Sequence, residues 1–327
     1  MKIGIIGLGR IGKTHLKAIQ KIDGLKVIAV SDIDEKQCNQ IAEENKIPYS
    51  YIDYNKLIAN KEVEAIWICS PSKLHYEQVS AALEHKKYVF CEKPLEIEID
   101  KITALLNSFS DIDKRLMIGF NKRFDSEFIE AKKNIAKIGV PTIVKITSRD
   151  PAPPTLAYLK TSGGLFKDMT IHDFDMSRFI VEDDVVEVYA TGSINYIEGI
   201  DGVDIDTAMV TLKFKNGIIC TIDNSRQSPY GYDQRLEILG TLGMLQVNNK
   251  KVNHNSFYTT QGKQSSVYQN FFLERYADAY EQEARAFLDC VVTKREFPAT
   301  AYDALKALEL AEACKKSLLE NRAVRIS

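Results

Sequence analysis

Short apolar runs and amphipathic stretches alternate along the first third of the chain. Residues 2–6 form a β-branched run of strand length that leads into Gly7-Leu8-Gly9-Arg10-Ile11-Gly12 and then a helical pattern through Ile19. Comparable runs at 26–30, 49–52, 65–69, 88–91 and 116–120 predict strands, separated by helices at 35–45, 55–59, 74–85 and 99–109. Strands spaced by helices in this way predict a parallel, doubly wound α/β sheet. After Arg123 the pattern changes. A helix over 124–138 is followed by longer strands at 142–148, 185–194, 206–214, 218–224, 234–239 and 244–247, with Lys215-Asn216-Gly217 as a hairpin turn. Amphipathic helices over 276–292 and 301–319 close the chain. The second domain is expected to be α+β, built on a large and mainly antiparallel sheet. The boundary falls at Lys122, giving domains 1–122 and 123–327.

The glycines after the first strand carry the first chemical signal. Gly7 permits the tight turn, Gly9 lets backbone approach a pyrophosphate, and Gly12 lets the helix pack closely while its N-terminus faces phosphate. The second strand ends in Ser31-Asp32, about 20 residues beyond the last glycine, where a carboxylate meets an adenosine ribose. Ser70-Pro71-Ser72, Glu92-Lys93-Pro94 and Asn121-Lys122-Arg123 end other strands of the same sheet, at the edge where such sheets bind ligands. The cofactor edge therefore comprises Gly7, Gly9, Arg10, Ile11, Gly12, Asp32, Ser70, Pro71, His75, Glu92 and Lys93, and the cofactor expected is NAD, since Asp32 disfavours a 2′-phosphate.

Charge and cysteine content narrow the class. With 43 Lys and Arg against 45 Asp and Glu the net charge is -2, and no long block of one sign points to nucleic acid or an anionic membrane. The six cysteines are scattered without a C-x-x-C pair, as expected of reduced thiols in a cytoplasmic protein. The apolar N-terminus is broken by glycines and reads as a strand, not a signal peptide, and no apolar run is long enough to cross a bilayer.

Candidate catalytic groups lie in Gly163-Gly164-Leu165-Phe166-Lys167-Asp168-Met169-Thr170-Ile171-His172-Asp173-Phe174-Asp175. Asp168 and His172 stand at i and i+4, so a carboxylate and an imidazole share one helix face. That pair suits removal of an alcohol proton, and it equally suits an exposed pair that only supports the helix. Lys93 reads either as a surface lysine or as a side chain fixed at the active edge, since Pro94 restricts its backbone. His15, His75, His85 and His254 are read as structural by default, although His75 is also counted at the cofactor edge. No third ligand accompanies Asp168 and His172, so no metal is expected. Arg123 and Arg149 would clamp a carboxylate, favouring a hydroxy acid or uronate. Asn121, Asp150, Tyr230 and Tyr232 instead supply the mixed donors and acceptors that a neutral polyol requires, and the polyol is favoured.

These residues together carry a resemblance. Gly7, Gly9 and Gly12, then Cys91-Glu92-Lys93-Pro94, then G-G-x-x-x-D-x-x-x-H-D-x-D resemble the glucose-fructose oxidoreductase and inositol dehydrogenase superfamily over nearly the whole chain. Ser148 to Pro154, Asp168 to Asp175 and Gln227 to Asp233 are similar to its inositol 2-dehydrogenase branch. The resemblance implies an N-terminal Rossmann domain and a catalytic set of Lys93, Asp168 and His172. It also implies a substrate site lined by Asn121 and Arg123, and a homotetramer formed through the C-terminal sheet. The activity implied is NAD-dependent oxidation of a cyclic polyol, myo-inositol to 2-keto-myo-inositol. A related sugar dehydrogenase and a non-catalytic nucleotide-binding regulator of the same fold are the alternatives. The regulator would lack one of Lys93, Asp168 and His172, and all three are present.

Overall fold

The structure is a computed structural model describing residues 1–200, 202 and 204–326. The chain divides into two compact units, Met1–Phe124 with Ala277–Lys306, and Asp125–Tyr276 with the residues from Ala307 onward.

In the first unit β1 (Lys2–Ile6), α1 (Arg10–Ile19), β2 (Lys26–Ser31), α2 (Glu35–Glu44), β3 (Tyr49–Tyr51), α3 (Tyr54–Ala59), β4 (Ala65–Ile68), α4 (His75–Glu84), β5 (Tyr88–Glu92), α5 (Ile99–Ser108) and β6 (Leu116–Gly119) alternate as the apolar pattern predicts. The six strands pair in parallel in the order β3-β2-β1-β4-β5-β6. Parallel neighbours need crossover connections, and the intervening helices supply them while covering the sheet. Every residue of β4 is therefore buried. The order reverses between β1 and β4, and the glycine loop lies at that switch point.

The linear boundary expected from the sequence differs from the observed division, because Ala277–Lys306 belongs with the first unit. The helix Ala277–Thr293 packs on α1, and its Phe287 ring lies 4.6 Å from that of Trp67, which stacks on Phe90 at 4.4 Å. Periodicity revealed that helix but not which sheet its apolar face covers.

The second unit contains α6 (Ser126–Lys133), β7 (Pro141–Arg149), α7 (Leu156–Leu159), a π-helical turn at Phe166–Thr170, α8 (Ile171–Val181), β8 (Val185–Ser193), β9 (Thr207–Phe214), β10 (Ile219–Ser225), β11 (Asp233–Gly240), β12 (Met244–Val247), β13 (Ser256–Thr259), β14 (Gly262–Ser265) and α9 (Phe272–Arg275). The helix Ala277–Thr293 is α10; α11 (Ala301–Glu320) and β15 (Val324–Arg325) complete the chain. Seven strands form one sheet in the order β12-β11-β7-β10-β9-β8-β15, antiparallel except for the parallel pair β7 and β10. Alternation along β7 buries Val144, Ile146 and Ser148 on the face that α8 covers and leaves Ile143 and Lys145 exposed on the other. The helix expected over 124–138 is shorter than its pattern. Asp125 caps α6 by accepting from the Glu127 and Phe128 N–H groups, and tight turns at Asn121–Phe124 and Ile135–Ile138 flank it. No helix among the described residues is long and apolar enough to cross a membrane.

Candidate active site

The first unit's contribution lies beyond the carboxyl ends of β1, β2, β4, β5 and β6. Gly7 adopts φ 88°, and a Cβ there would lie 2.6 Å from the Cys69 backbone. A Cβ on Gly12 would lie 1.9 Å from the Gly7 carbonyl oxygen, so only glycine lets α1 start this close to the loop. Gly9 differs: a Cβ there would meet nothing within 4 Å, which leaves open space beside the helix start. The first turn of α1, at Arg10 and Ile11, carries neither a side-chain cap nor an acidic residue. An uncapped helix start with open space beside Gly9 fits a pyrophosphate.

Asp32 closes the other side of this cradle. Its carboxylate accepts from the Leu8 N–H at 2.6 Å and the Asp34 N–H at 3.0 Å, fastening the glycine loop to the end of β2. Ile33 beside it is exposed.

Two loops at the same edge are joined by His75. Its Nδ1 lies 2.7 Å from the Pro94 carbonyl oxygen and its Nε2 2.8 Å from that of Ser70, while the Ser70 hydroxyl donates to Gln78 at 2.6 Å. Pro71 stays exposed. Burial holds the His75 pKa below the ordinary imidazole value, against the two carbonyls, which favour the protonated ring. His75 therefore connects the loops after β4 and β5. Glu92 is also internally engaged, with His15 Nε2 at 2.7 Å on one oxygen and the Lys93 N–H at 3.2 Å on the other. The Lys93 side chain is half-buried and follows directly. Asn121 and Arg123 are buried in the turn after β6, and Arg123 donates to the Pro298 carbonyl at 2.5 Å and pairs with Asp303 at 3.0 Å.

In the second unit Asp168 and His172 occupy different kinds of helix. Asp168 lies in the π turn and His172 in the first turn of α8. The even i, i+4 helix of the sequence reading is thus locally widened. Asp173 and Asn224 hold this segment on the sheet. The Asp173 carboxylate accepts from the Ser148 hydroxyl at 2.7 Å and from the Asn224 amide at 2.8 Å, and Asn224 accepts from Thr170 at 2.6 Å. Ser148 and Asn224 are register partners on β7 and β10, so one position on the strand pair locates the helix. Asp168 accepts from the Tyr158 hydroxyl at 2.7 Å and from Arg226 at 3.1 Å. Burial, then the Asp168 charge, pushes the Tyr158 hydroxyl pKa up, with a smaller contribution from Asp150.

The other expected substrate residues separate by strand parity. Ser148 faces α8, so Arg149, the next residue, faces away. Its guanidinium grips Asp223 through two bonds, at 2.7 and 2.8 Å, and donates to the Tyr230 hydroxyl at 2.8 Å. Tyr230 in turn donates to Asp233 at 2.6 Å. The structure thus gathers Arg149 and Tyr230 with Asp223 and Asp233, on the opposite side of β7 from the helix bearing His172. Tyr232 is buried edge-on to Tyr276. Tyr158 and Arg226 were not singled out from the sequence. The hydroxyl of Tyr158, just past the proline-rich loop, was a usable signal; an arginine 58 positions from Asp168 offered none. Among the described residues no group of three or more His, Cys, Asp or Glu side chains is arranged to hold a metal ion.

Comparison with known proteins agrees with this layout. The family model described as an oxidoreductase family, NAD-binding Rossmann fold, matches residues 1–120, and that for its C-terminal alpha/beta domain matches residues 132–326. The chain is 42% identical to myo-inositol 2-dehydrogenase of Thermotoga maritima, over 100% of this chain and 98% of that one. It is 36% identical to inositol 2-dehydrogenase of Rhizobium meliloti, over 100% and 99% of the two chains. The crystal structure of scyllo-inositol dehydrogenase from Lactobacillus casei with NAD(H) and scyllo-inositol superposes with a TM-score of 0.92 at 28% identity, covering 99% of this chain and 98% of that one. The chain belongs to the GFO/IDH/MocA oxidoreductase family, and its cofactor is NAD.

Proposed function

We propose that this oxidoreductase oxidises a ring hydroxyl of a cyclic polyol, with myo-inositol giving the 2-ketone. The observation that carries the reading is the 42% identity over the whole chain to a protein named for myo-inositol oxidation, with Lys93, Asp168 and His172 all present. The fate of the two arginines supports a neutral substrate. Arg123 and Arg149, the groups that would clamp a substrate carboxylate, already pair with Asp303 and Asp223.

When bound, NAD would supply the acceptor for the hydride leaving the carbinol carbon. His172 takes the hydroxyl proton, an imidazole being the side chain that titrates nearest neutrality. The Lys93 ammonium donates to the same oxygen and stabilises the alkoxide as it forms, while Asp168 balances that charge and orients the donors. The glycine cradle and Asp32 would hold the nucleotide, and the Asp32 carboxylate would repel a 2′-phosphate. A homotetramer and a cytoplasmic location belong to the same proposal. The uncovered face of the second unit's sheet, which exposes Ile143, Met209 and Ile219, supports the first, and six buried free cysteines support the second.

The test is formation of reduced nicotinamide with inositols, hexoses, a uronate and a hydroxy acid, each with NAD and with NADP. The expected result is the highest kcat/KM on a cyclitol with NAD. A uronate or hydroxy acid exceeding every cyclitol and hexose would overturn the polyol assignment, and a hexose exceeding every cyclitol would move it to the sugar dehydrogenases.

A further inference from the structure

Arg226 stands directly after β10, and its N–H donates to the Asp206 carbonyl at 2.8 Å, so the pairing of β10 with β9 fixes its backbone. Its side chain is 1% exposed. One end of the guanidinium donates to Asp168 at 3.1 Å and the other to Asp204, also at 3.1 Å. The second oxygen of Asp204 accepts from the Leu165 N–H at 2.8 Å, at the residue that opens the π turn. Gly164 eases this approach: a Cβ there would lie 3.2 Å from the same Asp204 oxygen, and the residue adopts φ 88°. One buried cation thus grips the π turn at two points, its start through Asp204 and its middle through Asp168.

Burying a guanidinium costs several kcal/mol unless it is paired, and an apolar side chain would fill the same volume at lower cost. The pairing therefore points to something that shape alone does not supply. A π turn is a local departure from the α-helix and needs outside support. Were it to relax to the α register, the Leu165 end of the turn would rotate by about 100° relative to α8, and the Asp168 carboxylate would leave the position in which Tyr158 and Arg226 hold it.

We propose that Arg226 is a positioning residue for the reaction, fixing the Asp168 carboxylate directly and, through Asp204, the turn that spaces Asp168 from His172. This rests on the reading of Asp168 as a member of the catalytic set. Arg226 needs no contact with substrate or cofactor for this role.

The test is a double-mutant cycle on the full-length protein, using the best polyol from the substrate panel. Arg226→Met is expected to lower kcat about 10²-fold, with the KM for NAD changed less than about threefold. Arg226→Lys keeps the charge but not the two-ended fork, and is expected to recover about tenfold of that loss. Asp168→Asn combined with Arg226→Met should be no worse than Asp168→Asn alone to within about threefold, because the two act as one unit. Should Arg226→Met fail to fold by circular dichroism, Asp204→Asn takes its place in the cycle, with an expected kcat loss of about tenfold and the same non-additivity.

A variant that melts earlier but keeps kcat within about threefold of the parent would make the residue merely structural, and multiplicative losses in the double variant would show that it does not act through Asp168. Either result overturns the proposal while leaving the catalytic set intact. An Asp168→Asn variant with parental kcat would instead remove Asp168 from the catalytic set, and the role of Arg226 with it.

Discussion

Lys93 and His172 differ in what their removal takes away. On the proposed mechanism His172→Ala would delete the proton acceptor and Lys93→Ala the cation at the forming alkoxide, so each is expected to lower kcat about 10²-fold or more with NAD affinity little changed. Steady-state kinetics with NAD binding measured separately checks this, and parallel loss of NAD binding in both variants would make them folding or cofactor residues. At this scale the sequence was legible where chemistry is local. The glycine loop and the position of Asp32 at the end of β2 were readable because each motif is contiguous or falls at a known offset. Partners drawn from distant segments were not. Tyr158 and Arg226 reach Asp168 only through tertiary structure. Arg149 is instructive in another way. A one-residue step from Ser148 carries it to the opposite face, and its carboxylate partner turns out to be Asp223.

Among the elements, α4 has a task beyond covering the sheet, because its first residue, His75, joins the loops that follow β4 and β5. Its folded-state pKa is depressed by burial, with the nearby Glu92 and Glu96 charges opposing that shift. The unfolded chain therefore binds this proton more readily than the folded one. The stability that His75 contributes is fully present above its unfolded pKa of about 6.5 and is lost as pH falls from there through the folded pKa. Thermal melts between about pH 7.5 and about pH 5.5 should show a steeper acid loss for the parent than for His75→Gln, which does not titrate, with the variant less stable at the upper end. Equal slopes would mean that His75 takes up its proton without cost. Strands and helices of the first unit were legible because β-branched runs and amphipathic periods are strong local signals. The hairpin of β13 and β14 was not, since all eight of its residues are exposed and carry no buried face to set a period. The π turn was also hidden, its composition being that of an ordinary helix start.

For the molecule as a whole, the consequential feature is that the first unit is discontinuous. Residues 1–124 hold all six parallel strands, yet α10 supplies Phe287 against Trp67 and Tyr280 against His15, both packed inside that unit. Truncating one buried aromatic costs about 3–5 kcal/mol, and a domain's whole net stability is about 5–15 kcal/mol. Losing a helix that buries several such side chains is therefore enough to unfold the remainder. A fragment of residues 1–124 is expected to lack a cooperative thermal transition and to bind NAD weakly. The same fragment joined through a flexible linker to residues 277–306 should regain both, because the Asn121–Phe124 turn packs against α10 and little chain is needed to connect them. NAD should then raise the melting temperature of the joined fragment in proportion to its occupancy, as a ligand bound only by the folded state must. Circular dichroism melts with and without NAD make the comparison. A fragment 1–124 that melts cooperatively and binds NAD as tightly as the full chain would show that the returning helix is an accessory, and that the linear boundary at residue 122 describes the folding unit after all.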